Sequence, residues 1–387
     1  MRYSRIDLSV LNAFLALSPF SKINKSRFSK KLSKKITKLN LPADIDADSI
    51  VSEYVDHLNG DLFSPLGRRL HSILSHQSLS EGVRFLQKSN NIKVDTHPPI
   101  IVVGLPRSGT TNLHNFIINN FNFSGLRYWQ LSSPSKVSRN PFIDKKIRRF
   151  KSMVGFYLYR YLIPSIQSMH RVNMDTYEEC WHFQRHLFLC YNYVIQIKFL
   201  QLEDYLKTID TTPLLNHYKT FIMESNKNKQ TALKCPDHMM FLPDLLNTFP
   251  EAKIIWVHRN PFDSISSYCP MIESVWNLFF GGTNKKEVGS FITELYERML
   301  KKTMLDRENI KQEIIDVSFN QLIDDRQALL NHLSDKLEMP VNSSREQNRA
   351  SSFFKNKYSF DPSEYSISRE DIEDKFSFYT KEYSKYL

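Results

Sequence analysis

No run of the chain reaches the roughly 18 apolar residues that a membrane-spanning helix needs. The apolar stretch at residues 8–20 is too short, and a basic block follows it where a signal peptide would carry a cleavage site. A secretory leader is therefore not expected. Cysteine is scarce. Cys180, Cys190, Cys235 and Cys269 form neither a Cys-x-x-Cys pair nor a zinc spacing, and they read as reduced thiols of a cytosolic-type protein. Spacing alone leaves a bridge between two of them open. There is no internal repeat, and no acid lies between Lys22 and Lys38, where eight Lys or Arg gather. That tract accounts for most of the net charge of +11, and the remainder has an ordinary globular balance.

What is present can bury a substantial core: 387 residues, 41% of them hydrophobic and 13% aromatic. Residues 44–90 carry apolar side chains at helical spacing (Ile50, Val51, Tyr54, Val55, Leu58, then Leu66, Leu70, Ile73, Leu74) and predict two or three helices. Pro98-Pro99 marks a boundary, residues 140–228 are helix-rich, and residues 231–320 alternate strand with helix. Four strands are expected. They lie at 100–103, at 231–234, at 252–257 running into His258-Arg259-Asn260-Pro261, and at 313–317 with Asn320 opening the next helix. Asn260 as N-cap with Pro261 at the first helical position starts the helix after the third. Such alternation argues for a parallel sheet with ligands beyond its carboxyl ends.

The first strand enters Gly104-Leu-Pro-Arg-Ser-Gly-Thr-Thr111, after which Leu113, Phe116 and Ile117 continue at helical spacing. A strand, a tight loop and a helix N-terminus make an anion cradle, with backbone N–H groups and the helix dipole facing the ligand. The spacing is close to the nucleotide P-loop, but Thr110 stands where that motif has its Lys. Without that cation a nucleoside triphosphate is disfavoured, and Arg107 suits a more compact anion. Lys234 and Arg259 follow other strands and belong to the same edge.

These residues carry a resemblance. Leu105-Pro-Arg-Ser-Gly-Thr-Thr111 resembles the 5′-phosphosulfate loop of sulfotransferases that use 3′-phosphoadenosine 5′-phosphosulfate (PAPS), in the branch reading Pro-Arg that is common in bacterial and protein-tyrosine sulfotransferases. His258-Arg-Asn-Pro-Phe-Asp-Ser-Ile-Ser-Ser267 resembles the family's 3′-phosphate motif, an Arg followed eight residues later by a Ser, matched by Arg259 and Ser267. Read alone, Arg-Asn-Pro is only a helix cap. The resemblance implies donor contacts from Arg107, Ser108, Gly109, Thr110, Thr111, Arg259 and Ser267. It spans roughly residues 45–385 and is sharpest at 104–111 and 258–268.

The segment from Met169 to Trp181 resembles the acceptor side of this branch, where a His precedes a Glu-Glu pair. By that match His170 is the general base, with Glu178 or Glu179 as alternatives. From the residues alone, His170 is equally a loop histidine, and Glu178-Glu179 an acidic first turn favoured by a helix dipole. Lys234 matches a Lys-x-Pro element, which implies contact with donor or sulfuryl oxygens. His114 matches a family histidine that lines the acceptor pocket, although a core histidine fits as well. Lys355-Asn-Lys-Tyr-Ser359 resembles a closing segment, with Asn356-Lys357 where the family has His-Arg. Glu178, His182 and His186 fall at i, i+4 and i+8, a spacing that suits a metal on one helix face. No fourth ligand is evident, and no metal is expected.

The expected fold is α/β: a P-loop NTPase-like three-layer fold with a central parallel sheet flanked by helices, plus an N-terminal helical segment. Its divisions are a basic arm at 1–43, packed helices at 44–97, and an α/β domain at 98–387 with an acceptor-site insertion at about 140–228. The expected reaction is in-line sulfuryl transfer from PAPS to a hydroxyl or amine of a small-molecule, lipid, carbohydrate or peptide acceptor, in the cytoplasm. The aromatic-rich segment 153–193 suits either an apolar acceptor pocket or plain core. Residues 8–38 suit contact with an anionic membrane or, the preferred reading, a docked helix with a solvated charge run. Rival readings are a P-loop kinase, which requires a Lys beside Gly109 and an acidic Mg²⁺ ligand, and a non-enzymatic basic protein. No specific nucleic-acid module is present.

Overall fold

In the computed structural model, which describes residues 12, 15, 16, 22–39, 46–89, 97–188, 190–226, 229–342 and 360–387, the β-branched runs form four strands. These are β1 (Ile100–Val103), β2 (Ala232–Lys234), β3 (Lys253–His258) and β4 (Ile314–Ser318). They pair in the order β2-β1-β3-β4, all parallel. Side chains alternate across the sheet and both faces are buried, as parallel strands require. Ile100, Val102, Ile255, Val257, Ile315 and Val317 enter one apolar cluster, while Ile101, Val103, Ile254 and Trp256 enter the other.

The helices of more than ten residues are α1 (Lys25–Ile36), α2 (Ala47–Asn59), α3 (Pro65–Lys88), α4 (Thr110–Asn120), α5 (Pro141–Leu162), α6 (Thr212–Asn226), α7 (Pro261–Phe280), α8 (Lys285–Asn309) and α9 (Arg326–Leu337). Leu113 and Ile117 of α4 and Leu329 and Leu333 of α9 cover the first face. Ile265 of α7 and Ile292 of α8 belong to the cluster on the second. Asn260 caps α7 by accepting from the Phe262 N–H, and Pro261 opens it, as the sequence predicts. The helix after β4 begins one residue before the expected Asn320, because Ser318 is the cap and accepts from the Asn320 and Gln321 N–H groups.

The basic segment is not a free arm over the part described. In α1, Leu32 and Ile36 are buried, and Leu39 just beyond is buried with them. All three join the main core, while Lys30, Lys31 and Lys34 stay exposed. Lys25 reaches Asp56 of α2 at 2.6 Å. Residues 25–36, within the expected charge run, are themselves a helix docked on the core. Residues 8–20 lie outside the described residues apart from 12, 15 and 16, and so do Lys355 to Ser359.

One acid sits within the sheet. Asp316 of β4 accepts from Arg307 at 2.6 and 2.8 Å and pairs with His258 at 2.9 Å. His258 also meets the Tyr379 hydroxyl at 2.8 Å and stacks on Tyr383, so the C-terminal residues fold back onto this edge. Burial holds His258 below its ordinary value against the pull of Asp316.

Docking of α1 has a measurable consequence. Leu32→Ala is expected to cost about 2–5 kcal/mol of unfolding free energy in urea, and Lys34→Ala less than about 0.5 kcal/mol. Equal, negligible effects would mean that α1 contributes nothing to the core.

Candidate functional site

The loop after β1 is shaped by two glycines and one strained residue. Gly104 has φ +150°, and a Cβ there would lie 2.9 Å from the Val257 carbonyl oxygen. Gly109 has φ +93°, and its Cβ would press into the Phe319 ring at 2.5 Å. Arg107 adopts φ +67°, the left-handed region that non-glycine residues rarely occupy. Contacts from outside the loop hold it there. Arg259 donates to the Arg107 carbonyl at 2.6 Å, and the Tyr296 hydroxyl donates to the Pro106 carbonyl at 2.7 Å. The Arg107 side chain turns away to donate to Ser267 Oγ at 3.1 Å and to the Met169 carbonyl at 3.0 Å.

The residues of loop 104–111 and the Arg259/Ser267 pair are therefore one cluster at the carboxyl edge. Arg259 lies over the Phe319 ring at 4.3 Å. Its Nε, like Ser108 Oγ, is buried without a hydrogen-bond partner among the described residues. A buried guanidinium N–H and a hydroxyl left unpaired beside a glycine cradle fit a phosphate-bearing ligand, which would satisfy both.

A second cluster adjoins it. Lys234, at the end of β2, is fully buried and donates to Thr111 Oγ1 at 3.0 Å and Glu179 Oε1 at 3.1 Å. Burial alone would lower its ammonium, but Glu179 and Glu178 more than offset that and raise it. Glu179 Oε2 also accepts from the Trp181 indole at 3.1 Å. Glu178 is buried with Oε2 at 3.4 Å from His170 Nε2. Burial would raise this carboxyl, but His170 in particular, then Lys234 and His182, pull it down to about 2. His170 itself is partly open to solvent.

A cavity of about 1950 Å³ joins the two clusters. Arg107, Gly109, Thr110, Thr111, Arg259 and Ser267 line one part of it, and His170, Glu178 and Glu179 another. Lys234 Nζ meets two residues of its wall, Thr111 and Glu179. His114 is a core residue: it contacts the Ala232 carbonyl at 3.0 Å, and burial pushes it down to about 4.

The helix face proposed for Glu178, His182 and His186 does not form. The helix there starts only at Trp181 and tightens to a 3₁₀ turn at Arg185. His186 turns to Ser78 and the Leu131 carbonyl, and His182 packs on Trp181. Among the described residues no three His, Cys, Asp or Glu side chains are grouped to hold a metal ion. Glu178 and Glu179 likewise precede the helix and are not its acidic first turn. Sequence reasoning missed Phe319 and Tyr296. Phe319 directly follows β4, so the strand-end argument could have found it, whereas Tyr296 lies in mid-helix and carries no local signal.

Comparison with known proteins places this geometry among relatives. A family profile described as the sulfotransferase family matches residues 98–343. The chain is 23% identical over 219 residues to proteins named omega-hydroxy-beta-dihydromenaquinone-9 sulfotransferase Stf3 from Mycobacterium bovis and Mycobacterium tuberculosis, covering 52% of this chain. The match spans about half the length of those curated relatives, 53%. The crystal structure of sulfotransferase STF1 from M. tuberculosis superposes with a TM-score of 0.74 at 19% identity, over 90% of this chain and 98% of that one. That of STF9 from Mycobacterium avium gives 0.70 at 17%, over 92% and 96%. At these identities the two structures establish the fold.

The lowered Glu178 carboxyl stabilises the fold above its ordinary value of 4.5, and this stabilisation is lost as pH falls toward 2. Urea unfolding between pH 6 and pH 3 should therefore show a steeper loss of stability in wild type than in Glu178→Gln. Parallel slopes would contradict the buried, ionised assignment.

Proposed function

The chain belongs to the sulfotransferase family, and we propose that it transfers a sulfuryl group from PAPS to a hydroxyl or amine of an acceptor. The observation that carries this reading is the single cavity shared by the loop with Arg259 and Ser267 on one side and the His170–Glu178 pair on the other. PAPS supplies the activated sulfuryl group and a 3′,5′-bisphosphate leaving group.

The N–H groups of loop 104–109 and the start of α4 hold the 5′ end, with Arg107 offsetting charge there. Arg259, through its unpaired Nε, and Ser267 hold the 3′-phosphate. The left-handed Arg107 couples these two halves, because one of its ends meets Ser267 and the other meets Arg259. Lys234 keeps Thr111 and Glu179 in place.

In the transfer the acceptor oxygen bonds to sulfur as the bond from sulfur to the 5′-phosphate oxygen breaks, and the acceptor proton passes to a side chain. Glu178 is too weakly basic for this, being held down to about 2. Glu179 is tied to Lys234 and Trp181. His170 is left. With Nε2 facing Glu178, its Nδ1 takes the proton, and the neighbouring carboxylate orients the ring.

The kinase alternative has little support, since Lys234 and Arg259 follow the strands where a Mg²⁺ ligand would be needed. For the acceptor we favour a small-molecule or lipid hydroxyl. A cavity of about 1950 Å³ exceeds the ~300–1,000 Å³ of ordinary ligand sites and has room for donor and acceptor together. A cytoplasmic setting fits four free, buried thiols.

The test is incubation with radiolabelled PAPS and a panel of long-chain alcohols and phenols. Wild type should label at least one acceptor, and His170→Ala should slow transfer about 10²–10⁴-fold while still binding adenosine 3′,5′-bisphosphate. Full activity in His170→Ala would remove it as the base.

A further inference from the structure

Helix α5 is amphipathic in the inverted sense. Over its first three turns the inward side is polar, before Phe156 closes the row: Asp144 and Arg148 are buried and paired at 3.2 Å, and Ser152 is buried one turn further on. Arg148 also donates to the Ser133 carbonyl at 2.5 Å, which anchors the helix to the domain. Its outward side is apolar. Ile143, Ile147, Phe150, Val154, Leu158 and Tyr161 recur at intervals of three or four and share one stripe. Their exposures run from 39% to 62%. A surface helix normally presents the opposite arrangement, and an exposed apolar patch of this length marks a contact site.

Two further observations indicate what covers the stripe. Its borders are basic: Lys146 flanks it on one side and Lys151 on the other, both exposed, while the helix's one acid, Asp144, is buried against Arg148. The stripe is also continuous with the cavity. Phe150, Val154 and Leu158 line it, and so do Ile73 and Leu74 of α3, which are 49% and 41% exposed. Lys31 and Lys35 of α1 lie near His76 of α3, and Lys35 also lies near Arg84, adding positive charge to that side.

We propose that the apolar stripe of α5 rests in the headgroup–acyl boundary of an anionic lipid surface, so that the cavity mouth between α3 and α5 opens onto lipid and admits an amphiphilic acceptor. A helix with an apolar face and Lys or Arg along its borders binds such surfaces by combined burial and charge attraction. A second copy packed stripe to stripe would set Lys146 and Lys151 among like charges, which disfavours a dimer here. Among the described residues no helix is long and apolar enough to cross a membrane, so the contact is one of lying on the surface. This adds α5 to the membrane contact, with Lys31 and Lys35 of α1 on the same side. The acceptor route rests on the sulfuryl-transfer reading, whereas the surface itself does not.

The experiment is co-sedimentation of the full chain with phosphatidylcholine vesicles, with and without phosphatidylglycerol. Wild type should bind the anionic vesicles, more weakly the neutral ones, and less as salt rises. Ile147 and Tyr161 do not line the cavity. Ile147→Glu with Tyr161→Glu should lower vesicle partitioning at least about tenfold, and Lys146→Ala with Lys151→Ala about fivefold per lysine on anionic vesicles only. Leu305→Glu, at a 60% exposed position on α8, should bind as wild type does. Stabilisation by adenosine 3′,5′-bisphosphate, followed by thermal unfolding, reports folding and the donor site in each protein. Bisphosphate stabilisation without vesicle binding overturns the surface and leaves the sulfuryl-transfer reading standing. Vesicle binding without bisphosphate stabilisation does the reverse. Vesicle binding undiminished in the Glu pair overturns the proposal, as does a wild-type dimer that this pair converts to monomer.

Discussion

Parallel pairing of β1 with β2 on one side and β3 on the other is the constraint on which the site depends. Because the strands run the same way, the loop after Val103, the ammonium of Lys234 and the guanidinium of Arg259 must emerge at one edge. Residues more than a hundred positions apart then meet within hydrogen-bond distance. Arg259 braces the Arg107 carbonyl, and Lys234 holds Thr111. Arg259, just after β3, and Tyr296 of α8 supply outside contacts that brace the left-handed backbone at Arg107.

Charge is arranged at that edge so that few side chains are left free to act. Lys234, Glu179 and Trp181 satisfy one another, and Glu178 is kept ionised by His170 and Lys234. A buried chain of this kind is stable when its members stay paired and costly when one is removed. Its chemical effect is to leave the partly open imidazole of His170 facing the cavity while the carboxylates behind it hold fixed positions. A similar arrangement fixes Asp316 between Arg307 and His258, where it fastens the C-terminal residues to the sheet and serves no evident chemistry.

Much of this was legible in the residues because it depends on local pattern. The Ile100–Val103 and Lys253–His258 strands announce themselves by β-branched runs, and Asn260-Pro261 by cap chemistry. The loop residues were legible because glycine spacing and the missing Lys are both local. What could not be read depends on distant packing. Trp181 rather than Glu178 begins a helix because the Glu178 and Glu179 side chains are drawn inward by His170 and Lys234. Lys234 meets Thr111 and Glu179, partners that only the fold brings to it. The aromatic run in α5 looked as much like core as pocket, and its outward turn follows from the burial of Asp144 and Arg148 on the opposite side. Helical periodicity specifies a stripe but not which stripe faces in.

The central claim is that the carboxyl edge holds a 3′,5′-bisphosphate nucleotide without a metal. Its most direct test is calorimetric titration with adenosine 3′,5′-bisphosphate, run beside ATP with Mg²⁺, on wild type and Arg259→Ala. The account predicts metal-independent binding of the bisphosphate, weakened about tenfold to a hundredfold when the charged hydrogen bonds of Arg259 are removed, and little binding of Mg-ATP. Tight Mg-ATP binding, or bisphosphate binding unchanged in Arg259→Ala, would contradict it.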